Sequence, residues 1–295
     1  MIVDDSVYGT IELGHFAEKI IQTQPLQRLK NIHQNGAMFL AYSHISTSRF
    51  EHSLGVYYLI KTLNGSQKEQ IAGLLHDLPH TAFSHVIDYV LENEGENFHE
   101  RHKLRFLLDL ELSTVLRQLG LEPEEFIEDD KFSLLEAKLP ALCADRIDYT
   151  LRDSIAWRRI SQLEAKEFVS SLRVVNGAIV IESVYWGQWF QDLYQYLNQN
   201  IFRDSKNIIV NLEFAKLLKR ALKMNLIEIE DFFQNDRFIL NKINDCEILK
   251  ADLEKIKTEL NNNNGKLPSG DFKHRFVDPT VIENDKIALL SEHIT

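Results

Sequence analysis

Two segments of the chain begin with the same helix-start signature, a serine followed three residues later by a glutamate. Ser48-Arg49-Phe50-Glu51 precedes apolar residues that continue to Leu63, and Ser66-Gln67-Lys68-Glu69 opens a second apolar run that reaches His76. In a capping box the serine side chain bonds to the backbone of the first turn, and the glutamate bonds back to the serine backbone. Both segments are therefore predicted to be helices.

Helical spacing of apolar residues continues over most of the chain. Pro79 disfavours helical geometry at Leu78, so the second helix is predicted to end at or near Asp77. Further helices are predicted at residues 14–35, 83–92, 100–119, 134–157 and over much of 186–260.

Two segments predict β-structure. Val174–Ile181 has Asn176-Gly177 between β-branched residues, which is a strong hairpin signal. Phe276–Leu290 has polar residues between two apolar runs and is predicted to form a second hairpin, and Asn261–Gly270 is predicted to be a loop. The fold class expected is mainly α, with small β-hairpin accessories.

Net charge narrows the class of partner. The 295 residues include 33 basic and 44 acidic side chains, which gives a net charge of −11. A protein that grips a nucleic-acid backbone normally has the opposite balance, because neutralising phosphates carries most of that affinity. The charge therefore argues against nucleic acid as a partner.

The sequence predicts neither a membrane-bound nor a secreted protein. Its opening residues are acidic and interrupted by Gly9, unlike a signal peptide, and no apolar run approaches the roughly 20 residues that cross a bilayer. Cys143 and Cys246 are too few and too far apart for a disulfide framework. A cytoplasmic protein without membrane association is expected.

Titratable residues cluster in one short stretch of the chain. A lone histidine among apolar residues is more often a core side chain than a ligand, and an isolated His-Asp pair is common by chance. Clusters of titratable groups, however, are typical of reaction centres. Four of the eleven histidines and two aspartates lie together here, namely His76, His80, His85, His99, Asp77 and Asp88.

A mixed imidazole and carboxylate shell is the candidate metal site. Such donors suit Mn, Fe, Co, Ni or Zn, with Mg less favoured by the nitrogens. Ligands at helix ends from three separate segments can converge on one point, and the positive helix N-terminus near the first of them favours neutral imidazole. The candidate ligands are His52, His76, Asp77 and Asp145.

Residues spaced four apart share one face of the helix that contains Asp145. Asp145, Tyr149 and Asp153 would stack over two turns, spanning roughly 12 Å at 1.5 Å per residue. That length suits a phosphate bound at one end and a sugar held further along. The alternative interpretation is an exposed face with Asp148 and Arg152 as an ion pair.

Five segments in the same order resemble the HD superfamily, and within it the branch of deoxynucleoside triphosphate triphosphohydrolases. They are Asp5–Leu13, Gln27–Gln34, Thr47–Val56 (TSRFEHSLGV), Gly73–His85 (GLLHDLPHTAFSH) and Asp145–Tyr149 (DRIDY). The resemblance covers residues 5 to 158.

The resemblance implies a role for each candidate residue. The divalent metal ion would be held by His52, His76, Asp77 and Asp145. Phosphate oxygens would be bound by His80, His99, Arg49 and Gln34. His85 with Asp88 would be the acid–base pair, while Tyr149 and Asp153 would hold the sugar.

The resemblance also implies an architecture and a reaction. The fold would be an HD-domain helical bundle in a protein that forms a homo-oligomer. The products from a nucleotide triphosphate would be nucleoside and tripolyphosphate. The domain division expected is an HD phosphohydrolase core at 1–160, a helical continuation at 161–260 with a hairpin near 172–183, and a loop with a C-terminal hairpin at 261–295 packed on the same domain.

Two departures keep other functions open. The stretch Leu193–Arg203, where this branch carries phosphate-gripping residues, has only Arg203, and Gln22 replaces an acidic residue that animal relatives use to read an activating guanine nucleotide. A nucleotidase or phosphodiesterase acting on a monophosphate or cyclic nucleotide is therefore the alternative enzyme. A non-catalytic nucleotide sensor is the alternative of another class, and it would require a decayed metal shell.

Overall fold

A computed structural model of the chain describes residues 1–262, 275–284 and 286–294. Helices dominate it, which confirms the mainly α fold class. The α-helices are α1 His15–Ile21, α2 Gln24–Arg28, α3 Arg49–Thr62, α4 Gln67–Leu75, α5 Val86–Leu91, α6 Lys103–Leu107, α7 Leu110–Gln118, α8 Ala144–Ala156, α9 Gln162–Ser170, α10 Val184–Leu197, α11 Ser205–Lys223, α12 Asp236–Asn244, α13 Glu247–Asn262 and α14 Ser291–Ile294.

The predicted starts of α3 and α4 are confirmed. Ser48 accepts a hydrogen bond from the Glu51 backbone at 3.2 Å, and Glu51 accepts one from the Ser48 backbone at 2.8 Å. Ser66 accepts from the Glu69 backbone at 3.1 Å, so both helices begin with a satisfied cap. Helix α4 ends at Leu75, one turn before Pro79, and delivers the next residues to the start of a loop.

Two predicted helices are each broken in two. The single helix predicted at 14–35 is wrong, because Pro25 starts α2 afresh and the chain continues as a 3-10 turn, Leu29–Asn31. The single helix predicted at 100–119 is also wrong, because Asp109 accepts from the backbone of Glu111 and caps α7 as a new helix. In both places a local start signal outweighs continuous apolar periodicity.

Two further predictions were too long at the N-terminal side. The helix predicted at 83–92 begins only at Val86, because Phe83 and Ser84 have positive φ angles of 59° and 53°. The helix predicted at 134–157 is α8 alone, and the chain before Ala144 contains Pro140 and is irregular. Proline lacks the N–H that a helix interior requires.

Both predicted hairpins are confirmed, and they are joined into one sheet that was not predicted. β3 (Leu172–Val175) and β4 (Ala178–Ile181) form the hairpin predicted around Asn176-Gly177, whose φ angles of 51° and 78° give the turn. β5 (Thr280–Glu283) and β6 (Lys286–Leu289) form the predicted C-terminal hairpin. Ile181 on β4 pairs with Val281 on β5 in parallel, which joins the hairpins into a four-stranded sheet in the order β3-β4-β5-β6.

The N-terminal hairpin was not predicted. It consists of β1 (Ile2–Asp5) and β2 (Gly9–Glu12). Each strand has only four residues, IVDD and GTIE, which is too short for a period-two alternation to be recognised as β-structure. The loop predicted at 261–270 overlaps the last two residues of α13 and otherwise lies outside the described residues.

Two clusters of buried apolar side chains support this arrangement. One surrounds α3, α4 and α8 and extends to Val281 and Leu290 of the C-terminal segment. The other surrounds α11 and includes Phe83 and Val86 beside the start of α5. Along the described parts of the chain, no helix has the length and apolarity needed to span a membrane.

Replacement of Gly55 by alanine is expected to destabilise the protein by about 3–5 kcal/mol, the usual cost of breaking a buried ion pair. A Cβ atom at Gly55 would overlap the carboxylate of Asp148 and the guanidinium of Arg152, which are buried against α3. Urea unfolding measures the loss, with Gly120→Ala, where a Cβ meets nothing but φ is +75°, as a control for backbone strain. Equal losses in the two variants would contradict the packing explanation.

Candidate metal centre and active site

Three helices bring the four candidate metal ligands together. His52 lies in the first turn of α3, His76 and Asp77 follow the end of α4, and Asp145 lies in the first turn of α8. The Nε2 atoms of the two histidines are 3.3 Å apart. From Asp145 Oδ1, the distance is 2.9 Å to Nε2 of His52 and 3.9 Å to Nε2 of His76. Asp77 Oδ1 lies 3.5 Å from Nε2 of His76, and Asp77 Oδ2 lies 3.8 Å from Nε2 of His52.

The ring orientation of His76 is fixed by its own helix. Its Nδ1 lies 2.8 Å from the carbonyl oxygen of Gly73, which can only accept a hydrogen bond. Nδ1 therefore carries a proton, and in the neutral ring Nε2 presents a lone pair towards His52. A protonated Nδ1 with a free Nε2 is the arrangement that metal-binding histidines use.

His52 is oriented by a carboxylate. Its Nδ1 donates to Asp148 Oδ2 at 2.7 Å, which turns Nε2 towards Asp145 and His76. Burial lowers the pKa of His52, but hydrogen bonds to Asp145 and Asp148 outweigh it and raise the pKa to about 10. A cation beside Nε2 would compensate the same carboxylates, so a proton and a metal ion compete for this nitrogen.

The donor set fits a divalent ion. Metal–nitrogen and metal–oxygen bonds of about 2.0–2.2 Å place neighbouring donor atoms roughly 3 Å to 3.5 Å apart, close to the separations found here. Two nitrogens and two carboxylates suit Mn, Fe, Co, Ni or Zn, and the geometry does not select one of them. Among the described residues, three groups of donor atoms lie close enough to hold a metal ion: His52 with His76 and Asp77, His85 with Asp88 and His99, and Glu136 with Cys143 and Asp145.

Asp77 also anchors Arg49. The Arg49 Nη1 lies 3.0 Å and 2.9 Å from the two carboxylate oxygens, and both side chains are buried. Burial raises the pKa of Asp77, but the Arg49 and His76 charges outweigh it and hold the pKa well below its usual range. Arg49 also donates to Ser84 Oγ and to the Gln34 carbonyl oxygen, so this predicted phosphate-binding residue is held at the edge of the metal site.

A buried chain of charges extends behind His52. Asp148 is fully buried and binds both Nε and Nη2 of Arg152 at 2.9 Å, and Arg152 Nη1 binds Asp5 of the N-terminal hairpin at 3.0 Å. Tyr8 donates to Asp148 Oδ1 at 2.8 Å. Burial raises the pKa of Asp148, but the Arg152 charge and the hydrogen bond with His52 outweigh this effect and lower the pKa to about 2.

The alternative interpretation, in which Asp148 and Arg152 pair on an exposed face, is wrong about the exposure, because both side chains are buried. Asp148 and Arg152 are paired, but they point into the protein, and Asp148 orients the candidate metal ligand His52. Two signals could have revealed this role. Gly55, three residues after His52, leaves space beside α3, and Asp148 follows the candidate ligand Asp145 by one turn.

Replacement of Asp148 by asparagine is expected to weaken metal affinity by about 10- to 100-fold, the usual effect of removing the group that orients a ligating histidine. The amide keeps the shape but removes the charge that binds His52 and Arg152. Calorimetric titration with Co²⁺ measures the change. Asp192→Asn on the surface of α10 is the control, and unchanged affinity in Asp148→Asn would contradict the orienting role.

A second cluster lies next to the metal ligands. The rings of His80 and His99 stack with centroids 4.0 Å apart, and His85 lies 5.0 Å from each. His85 is the most exposed of the three, with 46% of its side chain accessible, and its Nδ1 lies 3.3 Å from Asp88 Oδ2. His80 Nε2 lies 3.2 Å from Asp77 Oδ1, which joins this cluster to the metal ligands.

Electrostatics distinguish the members of the second cluster. Burial, with the nearby charges of Arg49 and His99, lowers the pKa of His80 well below its usual range. Burial, with the charges of His85 and Arg49, lowers the pKa of His99 to about 3, so both rings are neutral at pH 7. Burial raises the pKa of Asp88, but hydrogen bonds from His85, Asn93 and the Phe98 backbone outweigh this effect. The pKa is therefore lowered, and this carboxyl is ionised.

Two buried polar atoms near this cluster have no hydrogen-bond partner. They are Nδ1 of His80 and Oε1 of Gln34, both from residues predicted to bind phosphate. Buried polar atoms are normally satisfied, and exceptions are typical of places where a ligand or water binds. In the neutral His80 ring Nε2 donates to Asp77, so Nδ1 is an acceptor, as is Oε1 of Gln34, and both atoms can accept a hydrogen bond from a ligand or water.

The far end of α8 carries the two residues predicted to hold a sugar. Tyr149 donates to Tyr194 on α10 at 3.3 Å, and Asp153 accepts from Asn35 at 2.8 Å. Burial raises the pKa of Asp153 to about 6, although the Asn35 hydrogen bond opposes this. Neither Asn35 nor Tyr194 was recognised from the sequence, because each reaches α8 from a distant segment.

Comparison with known proteins places this site in a family. The model of the HD domain matches residues 49–153. An uncharacterized protein of Bacillus subtilis (strain 168), YdhJ, is 40% identical over 82% of this chain and 74% of its own length. The chain therefore belongs to the HD-domain family, and its site is that of a metal-dependent phosphohydrolase.

More distant similarities agree with this assignment. The metal-dependent phosphohydrolase cns2 of Cordyceps militaris is 36% identical over 60% of this chain and 52% of its own length. Human deoxynucleoside triphosphate triphosphohydrolase SAMHD1 is 31% identical over 73% of this chain, which spans only 36% of that protein. A hypothetical protein from Aquifex aeolicus has the same fold, with a TM-score of 0.69 at 24% identity over 88% of this chain and 75% of its own.

Proposed function

We propose that this phosphohydrolase cleaves the 5′ phosphoester of nucleotides, and that deoxynucleoside triphosphates are its first-choice substrates. The products would be deoxynucleoside and tripolyphosphate. The observation that carries the proposal is that one helix, α8, bears both the metal ligand Asp145 and the polar pair Tyr149 and Asp153. The rise of roughly 12 Å along the helix from Asp145 to Asp153 matches a phosphate and the attached sugar.

Each residue would have a distinct task. A divalent ion held by His52, His76, Asp77 and Asp145 would supply Lewis acidity to the phosphoryl group and acidify water. His80 and His99 would contact the phosphate group, where a ring N–H of His99 can donate to a phosphate oxygen, and Arg49 and Gln34 would lie beside them, with Arg49 adding positive charge. Asp153 would accept from a 3′-hydroxyl, and the Tyr149 ring would pack where a 2′-hydroxyl would otherwise project.

His85 would act as the general acid. Its Nδ1 faces the ionised carboxylate of Asp88, which leaves Nε2 free to donate a proton to the departing 5′ oxygen. The carboxylate stabilises the charged imidazole before the transfer and holds the ring in place. The 46% exposure of the His85 side chain leaves it accessible to a substrate.

A monophosphate or cyclic nucleotide is the second candidate substrate. The segment Leu193–Arg203, which forms the end of α10 and a π-helical turn, contains one basic residue. A triphosphate carries more negative charge than a monophosphate and needs more cationic partners. This scarcity favours a smaller ester.

One product analysis separates the candidates. The chelator-treated protein is supplied with Mn, Mg, Co or Ni in separate reactions, together with deoxy- and ribonucleoside mono- and triphosphates and cyclic nucleotides. Anion exchange then resolves the products. Tripolyphosphate with deoxynucleoside supports the leading proposal, and orthophosphate from monophosphates alone supports the second. Nucleotide binding without turnover under every metal would contradict both and favour a sensor.

A further inference from the structure

The loop between α4 and α5 has an unusual backbone. Its part at residues 78–85, called the loop 78–85 below, carries His80 and His85. Near its end, Phe83 and Ser84 are in the left-handed region, at φ values of 59° and 53°. Such angles are uncommon for residues other than glycine and persist only where the surrounding structure enforces them. Some contact must therefore hold the loop in this conformation.

Asp236, at the first position of α12, supplies such a contact. Its side chain is buried, and its Oδ1 accepts from the Phe83 backbone N–H at 2.6 Å. Its Oδ2 accepts from the backbone N–H of His33 at 2.9 Å and lies 2.6 Å from Nδ1 of the same residue. His33 in turn accepts a hydrogen bond through its carbonyl oxygen from Ser84 Oγ at 2.6 Å. One carboxylate thus holds both left-handed residues, the first directly and the second through His33.

The segment just before α12 contacts the same loop. The Ala82 backbone N–H donates to the Phe232 carbonyl oxygen at 2.8 Å. Arg28 bridges the two segments, because it donates to the carbonyl oxygens of Leu78 and Gln234 at 2.5 Å and 2.9 Å. The segment Phe232–Asp236 therefore lies along the loop from end to end, although it is outside residues 49–153 that match the HD domain.

We propose that Asp236 is a positioning residue for catalysis, which holds the loop 78–85 so that His85 can deliver its proton. The predicted effect of Asp236 on turnover rests on the proposed function. The predicted effect of Asp236 on the conformation of the loop 78–85 can be measured without any substrate. It assigns to this C-terminal segment a role that the HD-domain match does not cover.

The competing explanation is that Asp236 only stabilises α12. Its neighbour Asn235 provides the matched control, because Asn235 Oδ1 accepts from the Phe238 backbone at 3.0 Å, so this side-chain cap acts on α12 itself. Asn235→Ala therefore weakens α12 alone. Asp236→Ala removes the loop contacts, and Asp236→Asn keeps one acceptor oxygen.

Hydrogen–deuterium exchange tests the structural step. In Asp236→Ala we expect faster exchange in a peptide covering residues 79–86, with an intermediate effect in Asp236→Asn. We expect no change in that peptide in Asn235→Ala, and none in any variant over residues 50–60 of α3. The proposal would be overturned if exchange in residues 79–86 were equally fast in Asn235→Ala, or if it were no faster in Asp236→Ala than in the unsubstituted protein. Either outcome decides the matter whether or not the protein hydrolyses nucleotides.

Turnover with two leaving groups tests the catalytic step. For a nucleotide, whose 5′ alkoxide must be protonated as it leaves, Asp236→Ala should lower kcat by about 100-fold, the effect of misplacing a catalytic group by about 1 Å. For bis(p-nitrophenyl) phosphate, whose leaving group needs no proton, the loss should be less than about threefold. Equal losses on both substrates, or reduced Co²⁺ affinity of the variant, would overturn the positioning role. If the unsubstituted protein cleaves neither substrate, the proposed function fails, and the exchange result still decides the structural step.

Discussion

Replacement of His76 by alanine is expected to lower kcat/KM for nucleotide hydrolysis by at least about a thousandfold, since a catalytic metal ion contributes several kcal/mol to the transition state. His76 is the cleanest ligand to remove, because its Nδ1 bonds only to the carbonyl oxygen of Gly73 in its own helix. Removing Asp77 instead would leave the buried Arg49 without its carboxylate and would confuse loss of metal with loss of stability.

The measurement compares turnover with bound metal, determined by elemental analysis after dialysis. The variant should bind less than one ion per chain and should not recover with excess Mn²⁺ or Co²⁺. His15→Ala, an exposed histidine at the start of α1, should retain both metal and activity. Full turnover by His76→Ala would show that hydrolysis does not depend on this centre.

Replacement of His85 by alanine is expected to lower kcat by about 10²- to 10⁴-fold on nucleotides, which is the usual contribution of a general acid. KM should change little, because His85 is outside the proposed ligand set and the neutral rings of His80 and His99 remain. Bis(p-nitrophenyl) phosphate should be cleaved almost as well as by the unsubstituted protein. Asp88→Asn should show the same pattern to a smaller degree, since the ring stays but loses its charged partner.

Steady-state kinetics on both substrates, with metal content measured in parallel, check this prediction. His102→Ala is a suitable control, because His102 lies beyond the catalytic cluster and packs against Phe98 and Phe233. If His85→Ala loses the same factor on both leaving groups, His85 is not the proton donor. Its role would then lie in binding.

The fold class and the convergence of the metal ligands could be predicted because their signals are local. The Ser48–Glu51 and Ser66–Glu69 caps fixed where α3 and α4 begin, and Pro79 fixed where α4 must end. Ligands near such ends are positioned by a few neighbouring residues. Asn176-Gly177 gave the β3–β4 hairpin for the same reason, since its turn needs two positive φ angles.

Contacts between distant segments could not be predicted. Arg152 donates a hydrogen bond to Asp5, and the Phe83 backbone donates one to Asp236. In each pair the residues are separated by about half the chain. No periodicity or spacing in one sequence records such a pairing. The burial of Asp148 could not be predicted for a related reason, because a carboxylate four residues before an arginine on a helix gives the same pattern whether it faces solvent or a buried histidine.

Helix boundaries were wrong where two local preferences competed. Apolar residues at helical spacing run through residues 14–35 and 100–119, but Pro25 and Asp109 each supply a stronger start signal inside the run. Periodicity records which side of a segment is buried. It does not record whether the segment is one helix or two that bury the same side.

The pairing of Ile181 with Val281 has a consequence for how the chain folds during synthesis. These residues form a parallel contact 100 positions apart in the chain, so β4 remains an open edge until β5 has left the ribosome. The candidate metal ligands, from His52 to Asp145, are all synthesised much earlier. The segments that carry them can therefore fold first, and completion of the sheet is expected to be the slow, late step at which the nascent chain is most exposed to strand pairing with other chains.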